Sequence, residues 1–184
     1  MRALVLYDRG TSEAGRVATA VAGGLPNGFR ARALCLDDAT AADLDGADLI
    51  VVGGGARRLM GPSRRVREFF ARTDRATWRD RHVAVFETTA DRGAWPAGPG
   101  AKATAVWLRG YRVARPVPCA SFLLAAPNGE LDEAEPVRAA SWGLSLPIAA
   151  HLGYGDDRKP GTGPGGRTDG QADPAAVSGA AERA

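Results

Sequence analysis

Two periods alternate along this chain. Residues 3–7 form an unbroken apolar run closed by Asp8, Arg9 and Gly10, the pattern of a strand buried on both faces of a parallel sheet. From Ser12 the period lengthens: Val17, Ala20, Val21 and Leu25 return at helical spacing, Ser12 is placed to cap the helix, and Gly23, Gly24 and Pro26 are placed to stop it. Residues 30–36 alternate, with Ala31, Ala33 and Cys35 on one face and Arg32, Leu34 and Leu36 on the other, as in a half-buried strand near a sheet edge. An acidic connection over 37–47 leads to a second wholly apolar strand, 47–52, which stops at Gly53, Gly54 and Gly55, where a loop is expected. Pro62 opens the next helix, carried by Val66, Phe69 and Phe70. Residues 82–86 read as another buried strand. A Gly- and Pro-rich stretch follows over 91–100, then a short helix at 101–108 and a last strand split between 111–117 and 121–124. The final helix is expected over 132–152, with Asp132 and Glu133 in its first turn.

Strands alternating with helices predict an α/β fold: a doubly wound, five-stranded parallel sheet with helices on both faces, its topology narrowed by right-handed crossovers. The chain has 184 residues, enough for one core. Past residue 154 large apolar side chains almost vanish, so residues 1–153 are expected as one domain and 154–184 as a disordered tail rich in Gly, Pro and Ala.

Charge and composition mainly exclude. The net charge is +3 and the only lysines are Lys102 and Lys159; no basic stripe interleaves with aromatics, so a nucleic-acid partner is not expected. With 45% hydrophobic residues and neither a long apolar run nor a leader pattern, the reading is a cytoplasmic protein without a membrane partner. Cys35 and Cys119 lie in apolar stretches and read as buried thiols. His82 and His151 sit away from every candidate loop, so neither a hydrolase triad nor a metal site is expected.

In an open parallel sheet, ligands bind beyond the carboxyl ends of the strands. Three loops qualify by position: 8–12, 53–61 and 87–98. The first precedes a helix, whose N-H groups and dipole suit a phosphate; Arg9, Gly10, Thr11 and Ser12 fit that role, whereas Glu13 repels an anion unless it points away. In the second loop, the glycine run Gly53, Gly54 and Gly55 allows close backbone approach to a planar ring, though glycines after a strand are also ordinary turn chemistry. Arg9, Arg57 and Arg58 could compensate an anion, or be solvated like most arginines of an Arg-rich chain. In the third, Trp95 has no core to fill from a Gly/Pro-rich loop, while Trp107 and Trp142 read as core at helical spacing.

The order of these elements, particularly over residues 3–25, 48–70 and 82–88, resembles the flavodoxin family, as architecture across roughly residues 1–152. The later half, with Val85 to Thr89, Gly110 to Val113, Ser121-Phe122 and Asn128 to Leu131, is similar to flavodoxin-domain proteins of high-GC bacteria. The resemblance implies strand order 2-1-3-4-5, FMN bound non-covalently, and electron transfer with a redox partner, the cofactor carrying the chemistry. It places the phosphate on backbone N-H groups of residues 9–13 and the ring near Gly54, Gly55, Ala56, Arg57 and Thr88, flanked by Met60 and Trp95. The family's Gly-Asn-Thr triplet is replaced here by Ser12, Glu13 and Ala14, and its Pro-Thr pair in the second loop is missing. The alternative is therefore a flavin-free descendant serving as an interaction or regulatory module. A flavin enzyme acting on a quinone or another small acceptor is a third reading, although no residue marks a substrate pocket.

Overall fold

The computed structural model describes residues 1–10, 13–55, 61–114, 119–127 and 129–150. Five strands run parallel: β1 (Arg2–Tyr7), β2 (Arg30–Cys35), β3 (Leu49–Gly55), β4 (His82–Thr89) and β5 (Ala120–Leu123). Their order across the sheet is β2-β1-β3-β4-β5, the predicted doubly wound topology. Connecting and covering them are α1 (Ala14–Gly24), α2 (Arg64–Arg72), the single turn α3 (Arg75–Trp78), α4 (Pro99–Leu108) and α5 (Glu135–Ala149).

Alternate residues of each central strand feed opposite cores, which is why these strands read as continuous apolar runs. Val5, Val51, Phe86 and Phe122 pack with Val17 and Val21 of α1 and Leu146 of α5. Leu6, Ile50, Val52 and Val85 pack on the other face with Phe69, Phe70, Trp78 and Leu108, from α2, α3 and α4. β2 is an edge strand, only partly covered, as its alternation predicts. Among the described residues no helix is long and apolar enough to cross a membrane.

Several expected boundaries move. β3 does not end at Gly53: Gly53, Gly54 and Gly55 stay in register with Phe86, Glu87 and Thr88 of β4. Gly53 and Gly54 serve close packing, since a Cβ on Gly53 would overlap the Phe86 ring and one on Gly54 would lie 2.9 Å from the Asp8 Cβ. α2 is capped by Ser63, whose hydroxyl accepts from the Val66 N-H at 3.3 Å, so Pro62 lies before the helix. The N-cap of α1 is Glu13, not Ser12. Tyr111 closes a 3₁₀ turn and residues 112–114 form no strand, so among the described residues the last strand is Ala120–Leu123, and residues 115–117 of the expected segment lie outside the described residues. α5 begins at Glu135, after Asp132 has accepted a hydrogen bond from the Ala134 N-H at 3.3 Å. The expected tail, 154–184, lies outside the described residues.

Candidate functional site

The carboxyl ends of β1, β3 and β4 meet around two buried carboxylates, Asp8 and Glu87. Asp8 immediately follows β1 and points toward α2. Its Oδ1 accepts from the Gly10 N-H at 2.8 Å and from the Arg65 guanidinium at 3.2 Å. Burial raises its pKa, but hydrogen bonds from Ser63, the Gly10 N-H and Arg65 outweigh burial, and the carboxyl titrates below its usual range. Arg65 also approaches Asp37 at 3.6 Å.

Glu87 faces the first turn of α4. One carboxylate oxygen accepts from the Ala101 N-H at 2.9 Å, the other from the Ser121 hydroxyl at 2.7 Å, and Ser121 Oγ in turn accepts from the Gly98 N-H at 2.7 Å. The chain thus satisfies the start of α4 with its own acid. Between α2 and α4 a shallow cleft opens over these strand ends, lined by Gly54, Gly55, Pro62, Glu87, Ala101 and Thr104.

At the start of α1, Glu13 is only 7% exposed. Its Oε2 accepts from the Leu131 N-H at 3.1 Å and from Arg16 at 2.8 Å, tying α1 to the segment before α5. Arg9 is exposed and pairs with Asp38 at 3.3 Å.

Trp95, beyond β4, is 65% exposed. The Arg138 guanidinium of α5 lies 4.8 Å from its ring centroid and 4.6 Å from that of Phe122. Arg138 is itself anchored by Glu135 and by the Ser121 carbonyl, so Trp95 rests on a fixed cation.

Of the residues expected at the site, Gly10 and Gly54 converge on Asp8, and Gly55 lines the cleft. Thr88 is buried in β4 beside Gly55, and Trp95 stands toward α5. Thr11, Ser12, Ala56, Arg57 and Met60 lie outside the described residues, as do Arg58 and Leu59. Sequence reasoning did not single out Asp8, Arg65, Glu87 or Arg138. The available signal was an acid directly after the first strand and another inside the fourth, where solvent-free packing demands partners.

Among the described residues no His, Cys, Asp and Glu cluster could hold a metal ion. Burial, with Glu87 nearby, pushes the Cys119 thiol up to about 11, so it is no ready nucleophile at neutral pH.

These features define a protein with the flavodoxin-like fold. The structure is similar to a flavodoxin from the domain Archaea (TM-score 0.59, 15% identity, covering 82% of this chain and 99% of that one). It is likewise similar to the two-electron reduced flavodoxin of Megasphaera elsdenii (TM-score 0.56, 17% identity, 81% and 98%). Oxidised flavodoxin 1 from Bacillus cereus matches with TM-score 0.57 at 12% identity, over 84% of this chain and 100% of that one. No family model and no curated protein matches the sequence.

Proposed function

We propose that this chain holds a flavin at the carboxyl edge of its sheet and works in electron transfer. The observation that carries the reading is Trp95: an aromatic ring 65% exposed beyond β4, lying over Arg138 and contributing little to the core. A ring so placed suits stacking on a planar ligand. Gly55, at the end of β3, lines the cleft over the strand ends without a side chain to fill it. The similar flavodoxins, one determined oxidised and another two-electron reduced, support the redox reading through the shared architecture. When bound, the flavin would supply the electron chemistry; this chain's residues bind it, orient it and shield one side.

The residues fit the ring of FMN better than its phosphate, because Asp8 and Glu13 hold buried carboxylates beside the loop where the phosphate would lie. Those carboxylates favour the second reading, a flavin-free interaction or regulatory module.

Titration of FMN with the purified protein, followed by quenching of flavin fluorescence, decides between them. Saturable binding that Trp95→Ala weakens by about tenfold, with the unfolding temperature unchanged, is expected for a stacking residue outside the core. Absence of saturable binding to demonstrably folded protein leaves the interaction-module reading.

A further inference from the structure

We infer that the loop after β1 carries its own anions and takes no ligand phosphate, so that a flavin bound here is held without help from its phosphate group. The flavin arm of this inference rests on the proposed function; the loop arm does not.

A phosphate at a helix N-terminus is held by unpaired N-H groups and the positive dipole end, is strengthened by free cations and is opposed by fixed carboxylates beside it. At α1 several of these groups already have a partner from this chain. The Gly10 N-H donates to Asp8, and the loop cation Arg9 is paired with Asp38. Arg65 on α2 is shared between Asp8 and Asp37. Glu13 sits at the N-cap itself, 7% exposed, where its negative charge complements the helix dipole as a ligand phosphate would. Its contacts fix it there: the Leu131 N-H comes from a segment 118 residues away in sequence, and Arg16 closes the pair from within the helix. Asp8 is 6% exposed and Arg65, Ser63 and Gly10 keep it ionised at neutral pH. A phosphate bearing roughly −1.5 to −2 charges would enter beside two buried carboxylates whose counter-charges are spent.

The test compares FMN with riboflavin, which lacks only the phosphate, on the full chain. The inference expects dissociation constants that agree within about threefold, and it is overturned by FMN binding about tenfold tighter or more. Separately, sodium phosphate is compared with sodium chloride at matched ionic strength by thermal unfolding. No phosphate-specific rise in the unfolding temperature is expected; such a rise overturns the inference. If neither flavin binds, the proposed function falls, and the phosphate comparison still decides the loop. Glu13→Gln keeps an oxygen in reach of the Leu131 N-H while removing the charge. In that variant FMN is expected to gain on riboflavin by about tenfold; an unchanged ratio removes Glu13 as the cause.

Discussion

Glu87 is a carboxylate 3% exposed in a position that looks apolar from its neighbours, Phe86 and Val85. Its two hydrogen bonds make it part of the framework that starts α4. Truncation to Ala leaves the Ala101 N-H and the Ser121 hydroxyl without that acceptor, each costing about 1–3 kcal/mol. Glu87→Ala is therefore expected to destabilise by about 2–4 kcal/mol in urea unfolding; a loss near zero would mean that water replaces the carboxylate. Asp8 makes a pH prediction. A carboxyl titrating below its ordinary 3.8 contributes stability that is complete above that value and is lost as pH falls through the folded pKa. Unfolding midpoints measured from pH 5 down to about 2.5 should therefore fall less steeply in Asp8→Asn than in the native chain; parallel slopes would show that other carboxylates set the acid limb. At this scale the sequence misled at Gly53 and Gly54. A glycine run after an apolar strand reads as turn, and only the Phe86 ring and Asp8 reveal that the side chains are missing to make room.

Helix α5 carries Gly143 in its interior, where glycine costs about 1 kcal/mol relative to Ala. The reason is its neighbour: a Cβ there would overlap the Val21 carbonyl oxygen of α1, just as a Cβ on Gly24 would overlap the Ala140 carbonyl. The two helices approach backbone to backbone at these points. Gly143→Ala is expected to lower stability by about 1–3 kcal/mol because overpacking outweighs propensity. Gly23→Ala, with nothing within 4 Å of its new Cβ, is the internal control. It should be neutral or stabilising by up to about 1 kcal/mol. Equal effects at both positions in a denaturant series would refute the close approach. Periodicity placed α1, α2, α4 and α5 to within a few residues, because each buries a stripe. It could not find α3, a single turn held by Asp74 accepting from the Ala76 N-H and by buried Trp78, whose indole N-H donates to Thr73. Four residues are too few for a period to show. The last strand was overextended for a different reason: residues 111–114 alternate in polarity, but Tyr111 closes a 3₁₀ turn and Arg112 adopts the left-handed conformation (φ 56°), which takes the backbone out of the extended region.

Both cores share one sheet, so neither can be lost alone: every central strand lends alternate side chains to each. Phe86→Ala on the α1/α5 face and Phe69→Ala on the opposite face should each destabilise by about 3–5 kcal/mol. Each is expected to leave a single unfolding transition, coincident by circular dichroism and tryptophan fluorescence. Transitions that separate between the two probes would show that one face unfolds first. At this scale the sequence by itself determined the order of elements, the parallel sheet and its two covered faces. Those follow from hydrophobic period and chain connectivity, which are local properties. The tertiary structure alone decided how the carboxyl edge is furnished. The partners that fix its acids are distant: Arg65 lies 57 residues from Asp8, Ser121 lies 34 from Glu87, and Leu131 lies 118 from Glu13. A charged residue in sequence carries no mark of whether it is solvated or buried and paired. That depends on which strand ends and loops the fold brings together, and here it turns a loop that reads as a phosphate cradle into one already holding its own carboxylates.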